Sequence, residues 1–152
     1  MARILLNRST KDGYIARIRH LREDTPRKWG SLDATRMLRH LRFVFQLTFD
    51  ETKEKDASWP ILRDVIYFVF FEWFTNWPKG KIKAPVSFTP EAEGSFETER
   101  ELVLSCIERF VDALEASPRK TGMTPLLGPT PYHRWEKIHG AHLNHHLKQF
   151  GL

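Results

Sequence analysis

Cysteine is all but missing from this chain: of 152 residues only Cys106 carries a thiol, so no internal disulfide can brace the fold. A run long and apolar enough to span a bilayer is missing as well. The most apolar stretch, residues 61–77, carries Arg63, Asp64 and Glu72 and falls short of the roughly 20 apolar residues such a span needs. No transmembrane helix is expected. The chain opens without a basic, apolar, small-residue leader, and together with the single cysteine this points to a reducing cytoplasm. No alternating period-two run is long enough to read as a strand. Several catalytic signatures are absent too: GxSxG, the phosphate-binding P-loop, the dinucleotide-binding glycine pattern, and a carboxylate spaced to complete a HExxH zinc site.

What is present suffices for one packed domain over residues 1–152. Hydrophobic residues make up 41% and charged residues 28%, which is enough apolar surface to offset the entropy of ordering the backbone and excludes a disordered chain. The formal net charge is +5, and Arg17, Arg19, Arg22, Arg27, Lys28, Arg36, Arg39 and Arg42 crowd the first third. Such crowding raises the question of a nucleic-acid partner. The basic residues alternate with core-type residues at helical spacing and no nucleic-acid fold signature accompanies them, so a solvated helix face is the expectation.

Helical periodicity accounts for most of the chain. Tyr14, Ile15, Ile18 and Leu21 repeat at spacings of three and four within 9–22, with Ser9 or Thr10 available as a cap. Ser31 or Asp33 caps a second helix with Met37, Leu38, Leu41, Val44, Phe45 and Thr48 on its inner face. Residues 59–74 are apolar almost all round, which predicts a deeply packed helix or an oligomer contact. Prolines and glycines make 77–95 a long connection. A fourth helix is read over 96–116, stopped by Ser117 and Pro118. After a second irregular stretch, a last helix runs over 132–149, ended by Gly151. The architecture expected is an all-α helical bundle.

Chemistry concentrates in that last helix. His139, His142, His145 and His146 place four of the seven histidines within eight positions. At about 100° per residue, His142 and His146 lie roughly 40° apart around the helix and one turn apart along it, so both rings can reach one ion; His145 points elsewhere. Such a clip needs a third ligand from another element. The candidate is His40, whose neighbours Met37, Leu41 and Val44 turn it toward the interior. The plainer alternatives are a core histidine hydrogen-bonded to a neighbour for His40, and a solvated helix end for the cluster. Cys106, set in a helical stripe, reads as a buried small hydrophobe rather than a nucleophile. The aromatic residues of 59–77 read as core packing rather than as a pocket lining.

Trp29-Gly30-Ser31-Leu32, then Arg36-Met37-Leu38-Arg39-His40-Leu41, and finally His142-Leu143-Asn144-His145-His146-Leu147-Lys148-Gln149-Phe150-Gly151 together resemble the DinB/YfiT-like metalloenzymes, in their DUF1569 branch. Trp77-Pro78-Lys79-Gly80 and the Thr130-Pro131-Tyr132 approach to the last helix resemble it more weakly. The resemblance implies a four-helix up-down-down-up bundle with a divalent ion, zinc or nickel, held by His40, His142 and His146. It places His145 and Gln149 in the surrounding pocket or behind the ligands. Residues 61–77 depart from the family pattern, as an added apolar helical segment or the face of a homodimer. The resemblance further implies a small-molecule substrate and either a thiol-dependent S-transferase with a low-molecular-weight thiol cosubstrate or a hydrolase. A non-catalytic, metal-stabilised binding module is the alternative, with a basic nucleic-acid binder behind it.

Overall fold

In the computed structural model, which describes residues 4–73 and 77–152, the chain forms five α-helices and one small sheet. Helix α1, Lys11–His20, follows Thr10, whose hydroxyl donates to the Leu5 carbonyl rather than capping the helix. Helix α2, Ala34–Thr48, is capped by Asp33, which accepts from the Arg36 N–H at 2.8 Å. The short α3, Arg63–Tyr67, continues a 3₁₀ turn at Pro60–Leu62 and runs into a π-helical stretch, Phe68–Trp73. Helix α4, Phe96–Ala116, is capped by Ser95 and carries Glu97 and Glu99 in its first turn, where the helix dipole favours acids. Helix α5, Tyr132–Gln149, ends ahead of Gly151, whose φ of +79° is a conformation that favours glycine.

Helix α2 is the centre of the molecule. Twelve of its fifteen residues are buried, so it has almost no solvated face, and it packs against both α4 and α5 while α1 lies on α4 and α5. Met37, Leu38, Leu41, Phe45 and Leu47 from α2 meet Ile107 and Phe110 of α4 and Trp135 and Leu143 of α5 in one core. Gly140 lets the N-terminal segment cross α5 at close range, since a Cβ there would stand 2.7 Å from the Ile4 carbonyl oxygen.

Two of the basic residues assigned to a solvated face are instead inside. Arg39 and Arg42 are buried, and Glu99 is wholly enclosed. Arg42 pairs in bidentate fashion with Glu99, Nε to Oε2 at 2.8 Å and Nη2 to Oε1 at 3.0 Å. Glu93 joins them, accepting from Arg42 and Arg39 through its carboxylate and donating its backbone N–H to Glu99. A helix buried nearly all round must carry its arginines inward with partners, because an unpaired buried guanidinium is costly.

Of the two expectations for the apolar segment, a deeply packed helix is not what forms: it is helical, but among its described residues only Tyr67 is buried, with Ile61 92% and Trp73 72% exposed. One side meets α5, where Asp64 pairs with Arg134 and Glu72 with Lys137, and the opposite side is left uncovered in the single chain. Its expected end at Phe74 lies outside the described residues.

A small sheet replaces part of the second irregular stretch, so the molecule is mostly rather than purely helical. Strands β1, Thr121–Thr124, and β2, Gly128–Pro131, pair antiparallel with Thr121 opposite Pro131. Four-residue strands rich in glycine, proline and threonine carry no readable alternation; contact of β1 with α2 and of β2 with α5 holds them instead. A Cβ at Gly122 would stand 2.2 Å from the Thr48 carbonyl oxygen, an approach open to glycine alone.

Candidate metal centre

Helix α5 brings His142 and His146 one turn apart onto its buried side, and α2 sets His40 opposite them. One nitrogen from each ring lies within 4.8 Å of one from both others, and all three side chains are buried. The ring centroids form a nearly equilateral triangle, 4.8, 4.8 and 4.6 Å on a side, with the rings almost perpendicular to one another. Rings so arranged do not stack, and their nitrogens stand close enough together that they could hold one ion.

Two of the three rings have their free ends defined. His40 Nδ1–H donates to the Phe88 carbonyl oxygen at 2.6 Å, and His146 Nδ1–H donates to Gln149 Oε1 at 2.7 Å. Each proton held on Nδ1 leaves a lone pair on Nε2, the arrangement by which a histidine's neighbours prepare it for a metal. The His40 and His142 Nε2 atoms are 2.9 Å apart. Nitrogens about 2.0–2.1 Å from one ion stand about 2.9 Å apart at right angles and about 3.3–3.4 Å apart in a tetrahedron, so the spacing fits two ligands of a shared cation with an angle of about 90° or a slight opening on binding. It also fits a hydrogen bond in which His142 Nε2–H donates to His40, and that bond alone would leave the third imidazole unexplained.

Burial keeps all three rings neutral. It is the largest influence lowering His40, and it drives His142 and His146 well below the ordinary histidine value with their neighbouring rings reinforcing it. Neutral, converging imidazoles with no carboxylate among them are a borderline-soft nitrogen donor set suited to zinc, nickel, copper or iron.

Gln149 lies against His146 through its amide oxygen, and His145 stands beside the trio. His145 is half-buried, its ring 5.2 Å from His146, 5.5 Å from Trp77 and 6.3 Å from Trp29. Beside it opens a cavity of about 440 Å³ between α5, the turn at Lys28 and Trp29, and the start of the long connection at Trp77 and Lys79. Trp77 also stands 6.2 Å from His142. Trp77 had been grouped with core aromatics; it instead lines this cavity.

The Phe88 carbonyl is the contribution the sequence concealed. A backbone acceptor leaves no side-chain signature, and only its setting in a long connection, where functional backbone is common, hinted at it. The connection is fastened to α2 by Glu93, five residues on, through the buried Arg39, Arg42 and Glu99 network. Packing of Phe43 against Phe88, centroids 5.3 Å apart, fixes it further.

His139 belongs to the core. Its ring stacks 3.9 Å from Phe45, stands edge-on to Phe110, and donates from Nε2 to the Thr48 hydroxyl at 2.8 Å, since that hydroxyl itself donates to the Val44 carbonyl. Burial lowers its pKa from 6.5 to about 3. Between those values the unfolded chain holds a proton that the folded chain refuses, so the stability this ring contributes is full above about pH 6.5 and is lost as pH falls toward 3. One such ring gives a slope of about 1.4 kcal/mol per pH unit. Urea unfolding of chelator-treated protein between pH 6 and 4 should lose about that much slope in His139→Gln; an unchanged slope would place a proton on the folded ring.

Cys106 sits half-buried against the core, with burial raising its thiol to about 11. A thiol so raised is almost wholly protonated at neutral pH and a poor nucleophile. Cys106→Ala should leave metal stoichiometry and any turnover within about twofold of the parent; loss of turnover with folding intact would restore a role for the thiol.

No helix among the described residues is long and apolar enough to cross a membrane. A family model described as a protein of unknown function, DUF1569, matches residues 3–151. No curated protein and no solved structure matches the chain.

Proposed function

The chain belongs to the DUF1569 family, and because that family carries no described activity, we propose from the site itself that the protein is a metal-dependent enzyme acting on a small molecule. His40, His142 and His146 are its ligands, within the up-down-down-up bundle of the DinB/YfiT-like proteins over one domain. The observation that carries this reading is the convergence of three buried, neutral imidazoles, two with their Nδ1 protons already committed to carbonyl oxygens.

Three protein ligands leave a tetrahedral ion one open position, and that distinguishes a reactive site from a closed structural one. A divalent ion bound there supplies Lewis-acid chemistry, activating water for hydrolysis or a low-molecular-weight thiol for transfer to an electrophile. The chain's own contributions are positional. Phe88 and Gln149 fix the ligand rings, and Trp29 and Trp77 wall the adjacent cavity. Arg39 and Arg42 are consumed in internal pairs, which removes them from any basic surface for nucleic acid.

The test is turnover of zinc- or nickel-loaded protein with a small thiol and a chromogenic electrophile, and separately with an activated ester. Metal-dependent turnover that vanishes on chelation and in His142→Ala is expected for one of the two. Stoichiometric metal with no metal-dependent turnover in either would favour a non-catalytic, metal-stabilised module.

A further inference from the structure

We propose that the cavity beside the histidine trio is a binding site for a small organic anion, a molecule with a flat apolar body and a carboxylate or phosphate group. Its walls are Trp29, Trp77 and His145, and Lys28, Lys79 and Lys148 stand around it, with no carboxylate side chain in the lining. Among the described residues none of these three lysines makes an ion pair. That is not the general condition of this surface. A second cavity, beside Arg19, Arg22 and Arg100, is lined by Glu23, Asp24 and Glu97 as well, and pairs Arg22 with Asp24 and Arg100 with Glu97. Three like charges gathered without counter-ions repel one another, and an anionic group between them relieves that repulsion.

The apolar part of the ligand follows from the walls. Two indoles and an imidazole present flat faces and edges, and such surfaces favour a planar partner. Lys79 Nζ already lies 4.6 Å from the Trp29 ring centre, which places a cation against the aromatic wall. At about 440 Å³ the cavity is within the range that encloses a small molecule. As a substrate class this rests on the metal site proposed above, because His145 and Trp77 lie against His146 and His142; as a binding site it stands without the metal.

Phenyl phosphate and phenylacetate are the probes, with 2-phenylethanol as the neutral analogue. Titrations would follow the indole N–H resonances of Trp29 and Trp77, assigned through Trp29→Phe and Trp77→Phe, in metal-free and zinc-loaded protein of measured stoichiometry. Both anions should bind at least about tenfold more tightly than the alcohol. That preference should disappear in Lys28→Gln/Lys79→Gln/Lys148→Gln, whose exposed substitutions leave the core untouched. Equal binding of the alcohol, unchanged anion binding in the triple variant, or no saturable binding of either anion would overturn the proposal. Lysine-dependent binding without metal uptake leaves the anion site standing and removes the metal reading. Metal uptake without a charge preference does the reverse.

Discussion

Replacing His40, His142 or His146 by alanine should lower zinc affinity by more than about 100-fold each, while His20→Ala and His133→Ala leave it unchanged. The first three converge in one buried cluster; His20 and His133 are exposed and outside it. Removing a ligand deletes a bond and also the fixed geometry of the two that remain. Gln149→Ala should cost about 10- to 100-fold, the usual worth of a residue that orients a metal-binding ring, because its amide oxygen holds the His146 Nδ1 proton. His145→Ala should cost less than Gln149→Ala, since no hydrogen bond joins it to the three rings and its contacts are with Trp29, Trp77 and the edge of His146. Competition titration against a chromogenic chelator at neutral pH, on variants with parental helicity, gives the ranking. Full occupancy in His40→Ala, or retention in the double variant lacking His142 and His146, would dismiss the three-histidine site.

Glu99→Ala should be the most damaging single change away from the histidines. Glu99 is fully buried and satisfies the buried Arg42 guanidinium through two hydrogen bonds, so its removal leaves the Arg42 Nε–H without its acceptor and the buried charge paired with Glu93 alone. Breaking such a pair from one side costs up to about 3–5 kcal/mol, or roughly 6–20 °C in melting temperature for a chain of this size. The damage should also reach the metal. Glu99 accepts the Glu93 N–H, Glu93 ties the long connection to Arg39 and Arg42, and that connection carries the Phe88 carbonyl that orients His40. Glu99→Gln should restore part of both losses by keeping an acceptor for Arg42. The apolar double variant Arg42→Met/Glu99→Leu should recover stability without recovering metal affinity. A Glu99→Ala protein that melts within about 2 °C of the parent would mean that water or another acceptor already serves Arg42.

The buried faces of α1 and α2 were legible in the sequence because helical periodicity records which side of a helix meets the core, whereas on α4 Leu102, which stands in the apolar stripe, is exposed and Glu99, on the opposite face, is buried. Asp33, Gly151 and the bounds of α4 and α5 follow from local rules of the same kind. The pairing of His142 with His146 was equally local, an i, i+4 relation that any helix imposes, and the apolar neighbours of His40 on α2 pointed it inward. Family resemblance added the expectation that Gln149 and His145 surround the trio. Everything that depends on two distant segments meeting had no local record. The Phe88 carbonyl reaching His40 lies 48 residues along the chain from it, and a backbone oxygen reads the same in every residue. Arg39 and Arg42 look like surface charge until α4 and the long connection deliver Glu99 and Glu93 to them. The β1–β2 pairing is too short and too rich in glycine and proline to show alternation, and exists where Gly122 can approach Thr48. The apolar 59–74 segment reads as a deeply packed helix or an oligomer contact because its composition favours burial; packing within the chain covers one side of its described residues and leaves the other exposed, since composition sets what burial would gain and only the arrangement of neighbours decides what is covered.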